Sequence, residues 1–543
     1  MPTHYLAIDL GAESGRVMLG TLADGRLALE ELHRFANTPV SMGGALTWNI
    51  PGLFREIQSG LRKAAACGST LAGLSVDSWG VDYMLFDEDG ALIPPTFHYR
   101  DARAARGVEN AKARMDWKTL FEETGIQFMA LNTIFQLAAE SPERLERAAQ
   151  MLTIADGFHR MLCGVGCIDE SNASTTQMYN PLKRQWSKKL ISALGLPERM
   201  FPRIVPCGSR LGPLSPEIMR ETGLPPVEVI ASCSHDTGAA VAAVPAIEEF
   251  PLPVGRGEGQ GAGQAGAVVP SPDASGTNPS PRPSPHRMER GSSPVSLAAT
   301  PTTGVEWAYL SSGTWSLLGV ELSSPVISEL CRELNFTNEI GYGSSVRLLK
   351  NIIGLWLAQE CRREWAASGD DFDYGTLTKL ATEAKPFVSL INPADTRFIA
   401  PGQMPRKIAA YCRETGQPEP ATPGATIRCA LESLALLYRR TLRQLEQLLG
   451  KKFDRLHIVG GGSRNTLLNQ LTANALQIPV VAGPAEATAL GNVAVQALAL
   501  GHLPSLAAAR QVIRASFEPV AYLPESAPEW EEQFARFDRF PAC

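Results

Sequence analysis

Residues 5–22 read YLAIDLGAESGRVMLGTL, and residues 307–320 read WAYLSSGTWSLLGV. Each is an apolar run, a tip of small polar residues and a second apolar run, the pattern of a β-hairpin. In the first, residues 5–9 and 16–22 are the expected strands, residues 10–15 the turn, and Asp24-Gly25 a further tight turn into a third strand. In the second, residues 307–310 and 314–320 flank Ser311-Ser312-Gly313. One hairpin lies at the start and the other past the middle, which suggests two related halves, although such turns are common enough to recur by coincidence. Apolar residues at three- and four-residue steps dominate the later part of each half, as in residues 427–449, so both halves read as mixed α/β.

Between them, residues 255–291 run GRGEGQGAGQAGAVVPSPDASGTNPSPRPSPHRMERG, too poor in apolar side chains to offset the entropy of ordering. This reads as a disordered surface insertion over 246–304, dividing an N-terminal domain, 1–245, from a C-terminal domain, 305–543. Lengthening a connection to about 55 residues adds only about 2 kcal/mol of closure entropy, so a stable protein tolerates it.

The 543 residues are 44% apolar and 20% charged, enough to build full cores. A formal net charge of -6 supplies no basic footprint for nucleic acid or anionic lipid. Asp9 and Glu13 interrupt the opening before any leader-like apolar run, and no window is long enough to span a bilayer, so a cytoplasmic protein is expected. Ten cysteines are scattered without a CxxC pair, which reads as reduced core thiols, Cys412 and Cys429 among them.

Four further stretches carry possible chemistry. In the first hairpin Asp9 ends a strand, and Gly11, Ser14 and Gly15 leave backbone N–H groups open to a phosphate, with Asp9 placed to hold an accompanying metal. An ordinary hairpin turn is the plain alternative. Residues 228–244, EVIASCSHDTGAAVAAV, read as strand, polar turn and small-residue helix, with His235, Asp236 and Thr237 at the helix entrance. A carboxylate there can take a proton from a sugar hydroxyl, or can serve as a simple N-cap. Residues 456–476, LHIVGGGSRNTLLNQLTANAL, put a strand and three glycines before an amphipathic helix, yet Asn465 stands where a dinucleotide fingerprint needs its third glycine, and no Walker lysine follows. Residues 76–93 gather Asp77, Trp79, Gly80 and Asp82 in one turn, an aromatic face beside hydrogen-bonding groups that suits a sugar. In residues 348–360 the separation of Asn351 and Gln359 places them on nearly one face of an expected helix.

Taken in order, DLGAESGR (9–16), SHDTGAAV (234–241), YLSSGTWSLLG (309–319), LHIVGGGSRNTLLNQL (456–471) and EATALGNVAVQAL (486–498) resemble the phosphate, connecting and adenosine segments of the FGGY carbohydrate kinases. TWNIPGL, DSWGVDY, YRDAR, GIQFMALNTIFQL and LKNIIGLWL are similar to the branch acting on L-rhamnulose. The resemblance implies two ribonuclease-H-like domains of the actin and hexokinase type around a central cleft. It further implies transfer of phosphate from ATP, with magnesium, to the 1-hydroxyl of L-rhamnulose, by a monomer or small homo-oligomer. Xylulose, ribulose, fuculose or glycerol as acceptor, or a silent nucleotide sensor, are the competing expectations. Carried over residue by residue, Asp236 is the base and Asp9 orients the metal. Ala12, Glu13, Ser14, Gly15 and Arg16 surround the ATP phosphates, Thr314 approaches from the other domain, and Gln359 and Gly461 contact the nucleotide. Gly80, His235, Thr237 and Asn351 join Asp236 around the sugar. Glu13 departs from the family pattern by bringing a carboxylate into the phosphate turn, and is expected to point outward or toward the metal.

Overall fold

The structure, a computed structural model, describes residues 2–246, 306–525 and 527–540, all within one compact unit. Residues 247–304 of the expected insertion lie outside the described residues.

Two sheets organise the chain. The N-terminal one runs Arg26–Ala36, Ser14–Ala23, Thr3–Leu10, Leu71–Ser78, Glu228–Ala231, Ser209–Pro213. Its first three strands are antiparallel, the next two join in parallel, and the last is antiparallel again. The C-terminal sheet repeats this order with Val346–Ile353, Trp315–Leu322, Trp307–Ser312, Arg455–Val459, Val480–Ala482 and Val520–Tyr522, and adds Thr337–Ile340 outside the first of these. Both hairpins expected from the sequence are therefore present, each at the start of one copy of the pattern.

Side-chain alternation on the first strand of each sheet sends residues to two different cores. Leu6, Ile8 and Leu10 face an outer core with helix Ile50–Ala66, whose Ile50, Leu53, Ile57 and Leu61 recur at helical spacing. Ala308 and Leu310 face another, built on helix Pro423–Leu449. That helix starts where Thr422 Oγ1 accepts from Ala425 N (3.1 Å) and ends at Gly450, whose φ of +65° a side chain would strain. Tyr5, Ala7 and Tyr309 point the other way, into a core shared by both sheets. Two helices fill it, Asp236–Ala242 and Ala487–Ala499, each following the corresponding strand of its own lobe. They touch so closely that a Cβ on Gly491 would lie 1.8 Å from the carbonyl oxygen of Ala239.

One local expectation is corrected. Asn351 and Gln359 do not share a helix: Asn351 belongs to strand Val346–Ile353, and Gln359 to helix Trp356–Ala367. The β-branched pair Ile352-Ile353 followed by Gly354 favours strand and then break, which a short apolar run does not reveal by period alone. Among the described residues no helix is long and apolar enough to cross a membrane, and Cys412 and Cys429 are buried free thiols.

Candidate active site

Parallel strands bring their carboxyl ends to one side of each sheet, the usual place for ligands in α/β structures. On the N-terminal lobe Asp9 and Asp77 are paired in register at such ends. Ser78 N donates to Ser234 O (2.9 Å), drawing the Ser232–His235 turn alongside. The first hairpin tip is closed by Gly11 N donating to Ser14 O (2.9 Å) and braced from behind by Asn37 Nδ2 on Gly11 O (2.9 Å). The second tip is braced likewise, by Gly354 N on Thr314 O (3.1 Å) and Leu355 N on Gly313 O (2.9 Å). Gly460 presses on this tip: at φ +85° its missing Cβ would stand 2.9 Å from Ser312 O, whereas Gly461 faces open space.

Between the lobes lies a cavity of about 300 Å³, the lower end of the range for small-molecule sites. It is lined by Gly11, Ala12, Gly313, Thr314 and Gly461 from the glycine-bearing turns and by Gly80, His235, Asp236, Thr237 and Asn351. Asp236 stands at the entrance of its helix with its side chain 26% exposed. Thr237 N donates to its Oδ1 (2.6 Å). Burial, aided by the charge of Asp9, pushes its carboxyl up to about 7. His235 Nε2 is 3.4 Å away, but burial and the nearby Arg347 hold that imidazole well below its ordinary range, so it is neutral and does not offset the carboxylate. A carboxylate poised near neutrality in a cleft is what proton abstraction from a hydroxyl needs.

The surroundings of Asp236 and Trp79 are stiffened by two networks. Arg347, fully buried, donates to Thr237 Oγ1 (3.0 Å), contacts His235 Nδ1 (3.1 Å) and pairs with Glu339 (3.2 Å), so the C-terminal lobe fixes the turn carrying Asp236. Asp82 accepts from the indoles of Trp48 (2.6 Å) and Trp79 (2.9 Å), which orients Trp79 along the cavity wall. Next to it Val81 holds φ at +71°, a costly conformation for a β-branched residue. Its carbonyl is gripped by Thr133 Oγ1 (2.6 Å) and Gln136 Nε2 (3.3 Å). Such strain persists where surrounding contacts over-determine it.

Of the residues expected here, Ala12, Thr314, Gly461, Gly80, His235, Asp236, Thr237 and Asn351 line the cavity; Asp9, Glu13, Ser14, Gly15, Arg16 and Gln359 do not. Glu13 points outward and pairs with Arg363 (3.0 Å). Gly15 sits behind the tip, where a Cβ would meet Phe35 at 2.3 Å. Arg16 is held by Asp9 and Glu486. Gln359 is half-buried on its helix with Oε1 unpartnered. Sequence reasoning missed Arg347, Glu339, Thr337 and Gln127, which accepts from Asn351 N (2.9 Å). Local sequence carries no signal for them, since polar residues stand on both faces of these strands, TNEI and VRLLKNII.

Among the described residues no cluster of three or more His, Cys, Asp or Glu is arranged to hold a metal. Asp9 and Asp77 nevertheless suit a hard cation that arrives on a triphosphate. They are oxygen donors on adjacent strands, and Asp77 Oδ1 is buried without a hydrogen bond. Desolvation and the charge of Asp9 raise Asp77 well above the usual carboxylate range, so the pair resists a second negative charge unless a cation offsets it.

Comparison with known proteins gives the family. Residues 4–243 match the N-terminal domain, and residues 308–500 the C-terminal domain, of the FGGY family of carbohydrate kinases. A rhamnulokinase of Bacteroides thetaiotaomicron is 39% identical over 540 residues, covering 99% of both chains. A rhamnulokinase of Enterococcus faecalis is 38% identical, covering 95% of this chain and 94% of its own. Among solved structures, Plasmodium falciparum glycerol kinase with ADP superposes with a TM-score of 0.72 at 13% identity, covering 99% of this chain and 97% of the other.

Proposed function

Because the chain belongs to the FGGY family of carbohydrate kinases, we propose that it transfers the γ-phosphoryl group of ATP to the 1-hydroxyl of L-rhamnulose, giving L-rhamnulose 1-phosphate and ADP. The sugar is the one that the names of its full-length relatives indicate. The observation that carries the chemistry is Asp236, a carboxylate near neutrality, in a cavity walled by two opposed hairpin tips.

Asp236 accepts the proton of the 1-hydroxyl while that oxygen attacks the γ-phosphorus. The new O–P bond forms as the bond to the β,γ-bridging oxygen breaks, and ADP leaves with the electron pair. Such a reaction asks the protein mainly for positioning and charge neutralisation. Gly80, His235, Thr237 and Asn351 hold the ketose against Asp236. The backbone of Ala12, Glu13 and Ser14 faces the phosphates, and Gly15 and Arg16 stiffen that turn from behind. Thr314 closes from the other lobe, with Gly461 and Gln359 on the nucleotide. Asp9 would hold the magnesium, which would supply positive charge to offset the triphosphate. Residues 1–245 then form the sugar and phosphate domain, residues 246–304 an insertion, and residues 305–543 the nucleotide domain. Nine free thiols among the described residues fit a protein of the reducing cytoplasm.

The test is turnover of L-rhamnulose, xylulose, ribulose, fuculose and glycerol with ATP and magnesium, read as ADP release. The highest kcat/KM is expected for L-rhamnulose. A higher value for any other acceptor refutes the sugar assignment, and no turnover with any refutes the kinase assignment for this chain.

A further inference from the structure

We infer that Thr337 and Glu339 bind hydroxyl groups of the ketose, so that the C-terminal lobe reads the sugar through a second strand beside the one carrying Asn351. This rests on the kinase reading above and names the part of its site that selects the substrate.

Strand Thr337–Ile340 pairs antiparallel with Val346–Ile353, setting Thr337 opposite Leu349 and Glu339 opposite Arg347. Side chains alternate along strands and opposed residues share a face, so Thr337, Glu339, Arg347, Leu349 and Asn351 project from one side of the sheet. That side meets the N-terminal lobe, where Arg347 grips His235 and Thr237 and Asn351 contacts Gln127. Thr337 and Glu339 sit in this row, roughly 7 Å apart by strand geometry, and both line the cavity that contains Asp236.

Part of their hydrogen-bonding capacity is unused: Thr337 is fully buried, and among the described residues neither its Oγ1 nor Glu339 Oε2 has a hydrogen-bond partner. Asn338, one residue on and facing the opposite side, shows the contrast. Its Oδ1 accepts from Val326 N (2.7 Å), and its Nδ2 donates to Gly125 O (2.9 Å) and Val326 O (3.0 Å). A buried hydroxyl without a partner costs free energy in the empty protein, a cost that a ligand hydroxyl removes on binding. Glu339, 5% exposed, balances its charge against Arg347 at 3.2 Å and lies 3.5 Å from His235 Nδ1. Two carboxylate oxygens offer about four acceptor positions, so donation from a polyol hydroxyl is accommodated beside the ion pair. The ligand class is a polyhydroxylated ketose: hydroxyl donors for Glu339, and a hydroxyl of either sense for Thr337.

The decisive variant is Thr337→Val, which keeps the side-chain shape and removes the hydroxyl. KM for L-rhamnulose is expected to rise roughly 3- to 10-fold, the effect of one net hydrogen bond. The KM for ATP and kcat should each change by less than about 2-fold, and thermal melting should stay level or rise because an unpartnered buried polar atom is gone. Thr337→Ser should restore the ketose KM to within about 2-fold. Glu339→Gln should raise the ketose KM by more than Thr337→Val, a charged acceptor being the stronger one. An unchanged ketose KM in Thr337→Val, with melting level or raised, overturns the inference and leaves the kinase reading intact. Failure of the wild type to turn over any ketose sinks both.

Discussion

Helices Asp236–Ala242 and Ala487–Ala499 occupy corresponding places in the two lobes, and each has a carboxylate at its mouth, Asp236 in one and Glu486 in the other. Both side chains are 26% exposed. Their surroundings differ in charge. Glu486 is clamped by Arg16 from the first hairpin and by Arg464 at 2.7 Å. Among the described residues no arginine or lysine is in ion-pair contact with Asp236, and its neighbouring imidazole is neutral. The guanidinium of Arg347 is engaged by His235, Thr237 and Glu339. One architecture thus yields a structural clamp where the carboxylate is neutralised and, in the function proposed above, a base where it is not. Equal exposure does not mean equal function; the location of the compensating cation decides.

The sharpest way to break this contrast is Asp236→Asn. Its kcat should fall at least about 100-fold while ATP binding persists, since a positioned base contributes about 10²- to 10⁴-fold. In the wild type kcat/KM should rise with pH through about 7 as Asp236 loses its proton. Stability should move the opposite way. The folded chain keeps a proton on Asp236 between about pH 4 and 7 that the unfolded chain releases, so wild-type stability falls across that window. The Asn variant lacks this loss. Thermal melts should therefore favour the variant increasingly from pH 4 to 7, with a level difference above. A variant that is less stable at pH 8 than the wild type would show that Asp236 serves the fold and not the reaction.

The second test acts on the contact that joins the two helices. Gly491→Ala places a methyl 1.8 Å from the Ala239 carbonyl oxygen, and backbone cannot retreat as a flexible side chain can. Overpacking of this kind costs about 1–3 kcal/mol. Melting should drop accordingly, and KM should rise for both substrates because the lobes carrying the two hairpin tips are forced apart. Unchanged melting would mean that the helices are not in firm contact, and the likeness of the two lobes would then lose its physical junction.

How much of this was legible in the sequence depends on how local each feature is. The hairpins showed themselves through alternating apolar residues and polar tips, and Asp236 through a strand, turn and helix within 17 residues. The duplication became firm only with the strand order, because two hairpins do not reveal that parallel strands from residues 71–78 and 455–459 join them in the same sense. Arg347 and Glu339 were silent for a different reason. Their meeting depends on the register Glu339↔Arg347, and their role on docking against a turn 110 residues earlier in the chain. Neither quantity is written in local composition. Asn351 was placed in a helix because the run LLKNIIG fits either period, and only pairing with Trp315–Leu322 settles it as strand.

The mildest perturbation completes the comparison from the clamp's side. Glu486→Gln removes the charge that two arginines share, but leaves an amide oxygen able to accept from Arg16. Arg464 is 70% exposed, so its half of the bridge is screened by water and contributes little. Arg16 keeps its ion pair with Asp9, so the hairpin stays anchored from its own lobe. Melting should therefore fall by no more than the equivalent of about 1 kcal/mol, and kcat should remain within about 3-fold of the wild type, far from the loss in Asp236→Asn. Turnover and melting curves of the two variants, measured side by side, read the difference directly. A hundredfold loss of kcat in Glu486→Gln with melting unchanged would make the second helix mouth a chemical partner of the first, and the division between clamp and base would fall.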